Sequence, residues 1–173
     1  MCGADRKGCA KKDWRTCDMK IAVGSDHRGF EAKQQIKAII TELKHECVDF
    51  GTNDSNPVDY PDVAYLAATA VAEKKADRAI LVCATGLGMS IAANKIKGVR
   101  AALCHDELSA QISRDHNDAN VLCLSGDQIG GLLLRRIVEV WLSTKFSGGR
   151  HLRRVKKIKA IEEGTDPREV KSR

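Results

Sequence analysis

Ala79-Ile80-Leu81-Val82-Cys83-Ala84-Thr85-Gly86-Leu87-Gly88-Met89-Ser90 runs from an apolar segment through a thiol into a glycine-rich turn, and Ile91-Ala92-Ala93-Asn94-Lys95 continues with helical character. The thiol therefore stands where a buried strand is expected to give way to a helix. In parallel α/β sheets that edge is where ligands bind, because strand carboxyl ends and helix amino ends converge there. Glycines let the backbone approach closely, and its N–H groups can hold a phosphate or a developing oxyanion. The same residues also fit a buried small hydrophobe followed by an ordinary turn.

Outward from this stretch the same alternation repeats. Met19 to Gly24 is β-rich and ends at Ser25-Asp26-His27-Arg28-Gly29-Phe30; Phe30, Ile36, Ile39, Ile40 and Leu43 then recur with helical spacing. A strand near Glu46 to Phe50 leads through the turn-rich residues 51–57 to a helix opened by Pro61 and running to about Glu73. Val99 to Cys104 predicts a strand, Glu107 to Arg114 a helix, Val121 to Leu124 a fifth strand, and Gln128 to Leu142 a long apolar helix. Strands alternating with helices imply an α/β fold: a single-domain, doubly wound, Rossmann-like parallel sheet of about five strands, helices on both faces. Residues 150–163 predict a C-terminal amphipathic helix with Leu152, Val155, Ile158 and Ile161 on its apolar side. That side needs a surface to cover, and a second copy of the chain would supply one, so a homodimer is expected.

A chain of 173 residues, 43% hydrophobic and 30% charged, suits one folded domain. The expected organisation is a mobile extension over 1–18, a domain over 19–163 and a polar tail over 164–173. The net charge of +6 sits at the ends: residues 1–18 carry +2, residues 149–173 carry +5, and the middle carries −1. With aromatics at only 4%, this distribution argues against nucleic acid as a partner. The seven cysteines are odd in number and match no zinc spacing, which points to a reducing compartment. No signal-peptide core or membrane-length run is present, so a cytoplasmic protein without membrane contact is expected.

Four polar clusters fall at strand ends or in loops that could share one cleft: Asp26-His27, Asp59-Tyr60-Pro61, Cys83 to Ser90, and Arg114 to Asp118. A fifth, Gly148 to Arg154, brings arginines, whose planar fork suits phosphate. Singly, Asp26 also reads as a helix cap, His27 and His116 as surface histidines, Tyr60 as a core residue, and Arg150 and Arg154 as a solvated stripe. Gly86-x-Gly88 lacks the third glycine and acidic partner of a dinucleotide site, and no Walker sequence, metal-ligand spacing or nucleophile elbow occurs. What remains is chemistry that needs an acid, a base, an oxyanion site and a phosphate clamp. Aldose-ketose isomerisation of a sugar phosphate fits.

From about Met19 to Glu163 the chain resembles the ribose-5-phosphate isomerase B and galactose-6-phosphate isomerase family. The resemblance is carried by Ser-Asp-His-Arg-Gly-Phe, Asp-Tyr-Pro, Cys-Ala-Thr-Gly-Leu-Gly, Ser-Ile-Ala-Ala-Asn-Lys, His-Asn-Asp and Gly-Gly-Arg-His, in that order. It implies cofactor-independent, metal-free interconversion of ribose 5-phosphate and ribulose 5-phosphate through a cis-enediolate, in the pentose phosphate pathway. Cys83 would be the base between C1 and C2, with Thr85 beside it in the catalytic set and the backbone of Ala84, Thr85, Gly86, Leu87 and Gly88 holding the enediolate oxygen. His116 would help open the furanose ring. Asp26, His27, Tyr60, Ser90, Asn117, Arg150 and Arg154 would bind the sugar or its phosphate. In the family His116 and Asn117 enter from the partner subunit. Galactose-specific relatives use two unlike subunits, one lacking part of the set; the full set here implies a homodimer, with a tetramer left open. A six-carbon substrate (allose or galactose 6-phosphate) and a non-catalytic sugar-phosphate sensor are the alternatives. Ala84 stands where the family often has glycine: at positive φ its methyl would be costly, at negative φ harmless.

Overall fold

The structure, a computed structural model, describes residues 18–170. The expected extension over 1–18 therefore lies, apart from Asp18, outside the described residues, as do Cys2, Cys9 and Cys17. The elements are β1 (Lys20–Ser25), α1 (Phe30–Glu42), β2 (Glu46–Asp49), α2 (Tyr60–Ala72), β3 (Arg78–Cys83) and α3 (Leu87–Ala93). They continue with β4 (Ala101–Leu103), α4 (Glu107–Asp115), β5 (Val121–Ser125), α5 (Gly131–Ser143), α6 (Gly149–Glu162) and a 3-10 turn, Pro167–Glu169.

All five strands pair in parallel, in the order β2-β1-β3-β5-β4. The alternation of side chains along β3 divides the interior into two cores. Ile80 and Val82 face a cluster with Ile36, Ile40, Leu134, Ile137 and Trp141 from α1 and α5. Leu81 and Cys83 face the other, with Val63, Ala64, Ala67 and Ala68 from α2 and Met89 and Ala93 from α3. Alanine spacing on α2 leaves little side-chain bulk between that helix and the sheet. The chain's lateral moves obey one rule: α1 and α4 carry it in one direction over the first face, α2 and α3 in the other direction over the second. Coupling direction to face in this way keeps crossovers of one hand.

The consequence for function lies at β3. The strand is followed by a helix on the second face, whereas its neighbours β1 and β5 are followed by helices on the first. The carboxyl end of β3 is thus flanked on both sides by loops that diverge, which opens a crevice there. Cys83 is the last residue of β3.

Several boundaries differ from the sequence reading; the strand expected over Val99 to Cys104, for example, spans Ala101–Leu103. The helix expected from Gln128 begins at Gly131, because the residues before it form a turn against the end of β5, in which Gln128 N–H donates to Ser125 Oγ and Gly130 is extended. Within the expected tail, Asp166 caps the 3-10 turn by accepting from Arg168 N–H.

Candidate active site, divided between two edges of the sheet

At the carboxyl edge, Cys83 is buried and its Sγ accepts a hydrogen bond from Gly86 N–H at 3.1 Å. Gly86 makes this turn possible: its φ is +77°, and a Cβ there would lie 2.5 Å from Leu103 Cδ1. Thr85 Oγ1 accepts from Leu87 N–H at 3.3 Å, which steers the chain into α3. Among the described residues the N–H groups of Thr85, Gly88 and Met89 have no protein acceptor, as expected of a helix's first turn. Ser90, one turn on, donates its N–H to Gly86 O.

The neighbouring loops close on this turn. Asp26 N–H donates to Val82 O, next to Cys83 in sequence, and Asp26 Oδ1 accepts from the N–H groups of Arg28 and Gly29, closing the turn that precedes α1; the N-cap of that helix is Gly29. His27 Nδ1 accepts from Val58 N–H at 3.4 Å, tying it to the loop that delivers Tyr60. Tyr60 is 40% exposed rather than a core residue, and its ring fills the space where a Gly88 side chain would be: a Cβ on Gly88 would stand 2.5 Å from Tyr60 Cε2. From β5, Gly126 N–H and Asp127 N–H donate to the carbonyls of Cys83 and Ala84, and Ser125 Oγ donates to Ala84 O at 2.6 Å. The φ of Ala84 is not positive, since Lys44, Lys74 and Asp118 are the only non-glycine residues with positive φ among the described residues. Its methyl therefore costs the turn nothing.

The loop after β2 is braced from beneath. Lys33 Nζ, fully buried, contacts Asp49 Oδ1 at 2.8 Å and donates to Thr52 O at 2.5 Å. Burial pushes the Asp49 carboxyl up, but hydrogen bonds from Lys33, Lys37 and the Gly51 N–H outweigh it and leave the group below the ordinary value.

The remaining predicted residues do not share this cleft within one chain. α4 runs back from the carboxyl edge, and residues 116–120 lie at the amino edge, where Asn120 O accepts from Ala79 N–H at the other end of β3. A six-residue strand separates the edges by about 17 Å. The expectation that Arg114 to Asp118 and Gly148 to Arg154 join the other clusters in one cleft is thus corrected for the single chain. The physical reason is helix length: the nine residues of α4 return the chain across the whole sheet.

These residues form a second constellation. The His116 ring stacks on His151, centroids 4.0 Å apart and planes 8° from parallel. Arg150 Nε donates to His151 Nε2 at 3.3 Å, whereas the buried His151 Nδ1 finds no partner. Burial, followed by the charges of His116, Arg150 and Arg154, lowers the His151 pKa. Ser147 Oγ donates to Asp115 Oδ1, binding the α5–α6 connection to the end of α4. Asn117 and Arg154 are exposed beside this group. Asp118 and His151 stand inside the predicted polar clusters without an assigned role, and Arg100 lies outside the predicted set. Arg100 sits at the start of a predicted strand, and nothing local in the sequence ties it to Asp118.

Each edge also leaves apolar surface open. Leu87 and Ile91 on α3 are 56% and 62% exposed, and on α6 Leu152, Ile158 and Ile161 are exposed as well. Cys47, Cys83, Cys104 and Cys123 are all free thiols, and no helix among the described residues is long and apolar enough to cross a membrane.

Residues 21–158 match the sequence profile of a family described as Ribose/Galactose Isomerase. Ribose-5-phosphate isomerase B of Escherichia coli is 48% identical over 144 residues, 83% of this chain and 97% of that protein. Ribose-5-phosphate isomerase B of Clostridium thermocellum shares the fold with a TM-score of 0.83 at 47% identity, covering 84% of this chain and 99% of that one. The Mycoplasma genitalium enzyme, solved with bound ribulose-5-phosphate, gives 0.80 at 42% identity, covering 84% and 97%.

Proposed function

The chain belongs to the ribose/galactose isomerase family, and from that premise we propose that it interconverts ribose 5-phosphate and ribulose 5-phosphate. The observation that carries the reading is the buried Cys83 thiol, held by Gly86 N–H beside three unengaged backbone donors in the crevice at β3. In this scheme the Cys83 sulfur takes the C2 proton of the open-chain aldose and returns it at C1, while the proton of the C2 hydroxyl passes to the C1 oxygen, which completes the ketose. The negative charge that develops on the substrate oxygen is met by backbone N–H groups between Ala84 and Gly88, donors that are already in place and so stabilise the transition state more than the ground state. Thr85 shapes that turn through its bond to Leu87 N–H. Asp26, His27, Tyr60 and Ser90 line the sugar side.

Ring opening by His116 and substrate contacts from Asn117, Arg150 and Arg154 come from a second copy of the chain. The separation of the two constellations across the sheet supports this homodimer, and so do the apolar side chains open at both edges. Each dimer then has two composite sites. The free thiols support a reducing, cytoplasmic setting, and the reaction itself belongs to the pentose phosphate pathway.

Steady-state turnover of ribose 5-phosphate, beside allose 6-phosphate and galactose 6-phosphate, tests the assignment. Five-carbon turnover should dominate, and Cys83→Ala should cut kcat by about 10²- to 10⁴-fold with little change in KM. Preference for a six-carbon substrate, or binding without turnover by the unaltered protein, would replace the proposal with one of its rivals.

A further inference from the structure

We infer that Asp118 is a positioning residue, fixing the His116–Asn117 turn so that the His116 imidazole is presented for ring opening; this rests on the reaction proposed above. Asp118 closes α4 in the left-handed region, φ +48°, where glycine is the low-strain residue. Its N–H donates to Arg114 O, and the next N–H, of Ala119, reaches back to Ser113 O. What glycine would lack is the carboxylate, and every side-chain oxygen of Asp118 is engaged. Oδ1 accepts from Arg114 Nη1 at 2.9 Å and Oδ2 from Arg100 Nη2 at 3.0 Å.

The arginines extend the grip along the turn. Arg100 also donates to Asp118 O from Nε at 3.0 Å and from Nη2 at 2.8 Å, and to Asn117 O at 3.1 Å. Arg114, buried, donates to Ala119 O. Two guanidinium groups, one on the strand β4 side and one on α4, thus hold the carbonyls of residues 117–119, and the Asp118 carboxylate bridges the two groups and fixes them there. His116 lies two residues before that carboxylate, its ring resting on His151. Clamping the backbone on one side and stacking the ring on the other removes the torsional freedom that a helix-terminal histidine ordinarily keeps. A catalytic group displaced by about 1 Å can lose on the order of 10² in rate, so the clamp is a kinetic device as well as a structural one.

The test separates positioning from general stability. Asp118→Gly keeps the backbone conformation and removes both ion pairs; Asp118→Asn tolerates the left-handed region, keeps one acceptor and guards against a variant that fails to fold. Turnover of ribose 5-phosphate, which starts from a ring, should fall about 10- to 100-fold in Asp118→Gly. Deuterium exchange into C1 of ribulose 5-phosphate needs Cys83 and no ring opening, so it should persist near the wild-type rate. In a His116→Ala background Asp118→Gly should add no further loss, because residues acting through one group are not additive. Independently of any activity, the ring-current shifts of the His116 imidazole protons should move toward solvent values in Asp118→Gly and by less in Asp118→Asn. Parallel loss of turnover and exchange, full additivity with His116→Ala, or unchanged imidazole shifts would each overturn the inference. A wild type that neither isomerises nor exchanges would remove the reaction assignment instead, with the imidazole shifts still deciding whether Asp118 orients His116.

Discussion

The carboxyl and amino edges of the sheet hold their candidate functional side chains by different means. Around Cys83 the partners are backbone groups: Gly86 N–H on the sulfur, Val82 O under Asp26, Ala84 O beneath Ser125. These atoms are set by strand ends whose side chains are buried in two cores, and they have little freedom. Around His116 the partners are other side chains: an imidazole stack, a carboxylate between two guanidinium groups, an arginine on a histidine nitrogen. The first edge is built by the fold alone, while the second adds its own side-chain clamp and, in the proposed function, relies on a second subunit to bring it to a substrate. On the proposed function the dimer is the catalytic unit, so the largest effects should appear when the two edges are separated.

Cys83→Ala and His116→Ala, each nearly inactive alone, should regain activity when unfolded together and refolded as a mixture. Random pairing gives half heterodimers, each with one intact composite site, hence about a quarter of wild-type activity in a two-fold assembly. Persistent inactivity of a mixture shown by mass to contain heterodimers would mean that each subunit completes its own site.

Within the carboxyl edge, Asp49→Ala should leave the fully buried Lys33 without its carboxylate and cost about 3 kcal/mol, read from denaturant midpoints. The pH dependence has a defined sign. Because the folded Asp49 carboxyl lies below its ordinary value, its contribution is present above about pH 4 and is lost as pH falls through the lowered folded value. Asp49→Ala should therefore flatten the acid limb of the stability profile; an unchanged limb would mean that other carboxylates set it.

Gly88→Ala is a smaller and more local change. The new methyl would meet the Tyr60 ring at 2.5 Å, and that ring, partly exposed, can swing aside. We expect KM to rise about tenfold, equivalent to about 1.4 kcal/mol, with little change in melting temperature. A rise in KM that vanishes in Tyr60→Ala would tie the effect to that contact.

The same contrast explains what could be read from the amino-acid sequence. Apolar runs such as Ala79 to Val82 and the helical spacing of Ile36, Ile39 and Ile40 are local signals, so the five strands and their helices were legible, as was the thiol at the end of β3. Strand order was not, because the placement of β5 between β3 and β4 depends on pairing across tens of residues. Nor was the edge at which His116 would lie: that follows from how far α4 carries the chain back. Asp118 illustrates the limit most clearly. Its partner Arg114 is four residues away and visible in sequence, but Arg100 comes from the neighbouring strand region and only the fold brings it in.

The smallest predicted effect tests the turn held by the backbone contacts around Cys83. Ala84 interrupts an otherwise familiar glycine loop, and the cost of that methyl depends on backbone conformation. At a φ that is not positive, alanine is unstrained, while glycine gains conformations in the unfolded chain. Ala84→Gly should thus leave kcat and KM near wild type and lower stability by about 0.4–1 kcal/mol. The Ala84 carbonyl would still accept from Ser125 Oγ and Asp127 N–H, so the turn beside Cys83 should keep its shape. A several-fold gain in kcat would show that the methyl had been holding the oxyanion donors out of place, and that this edge is less fully determined by its backbone contacts than the amino edge is by its side chains.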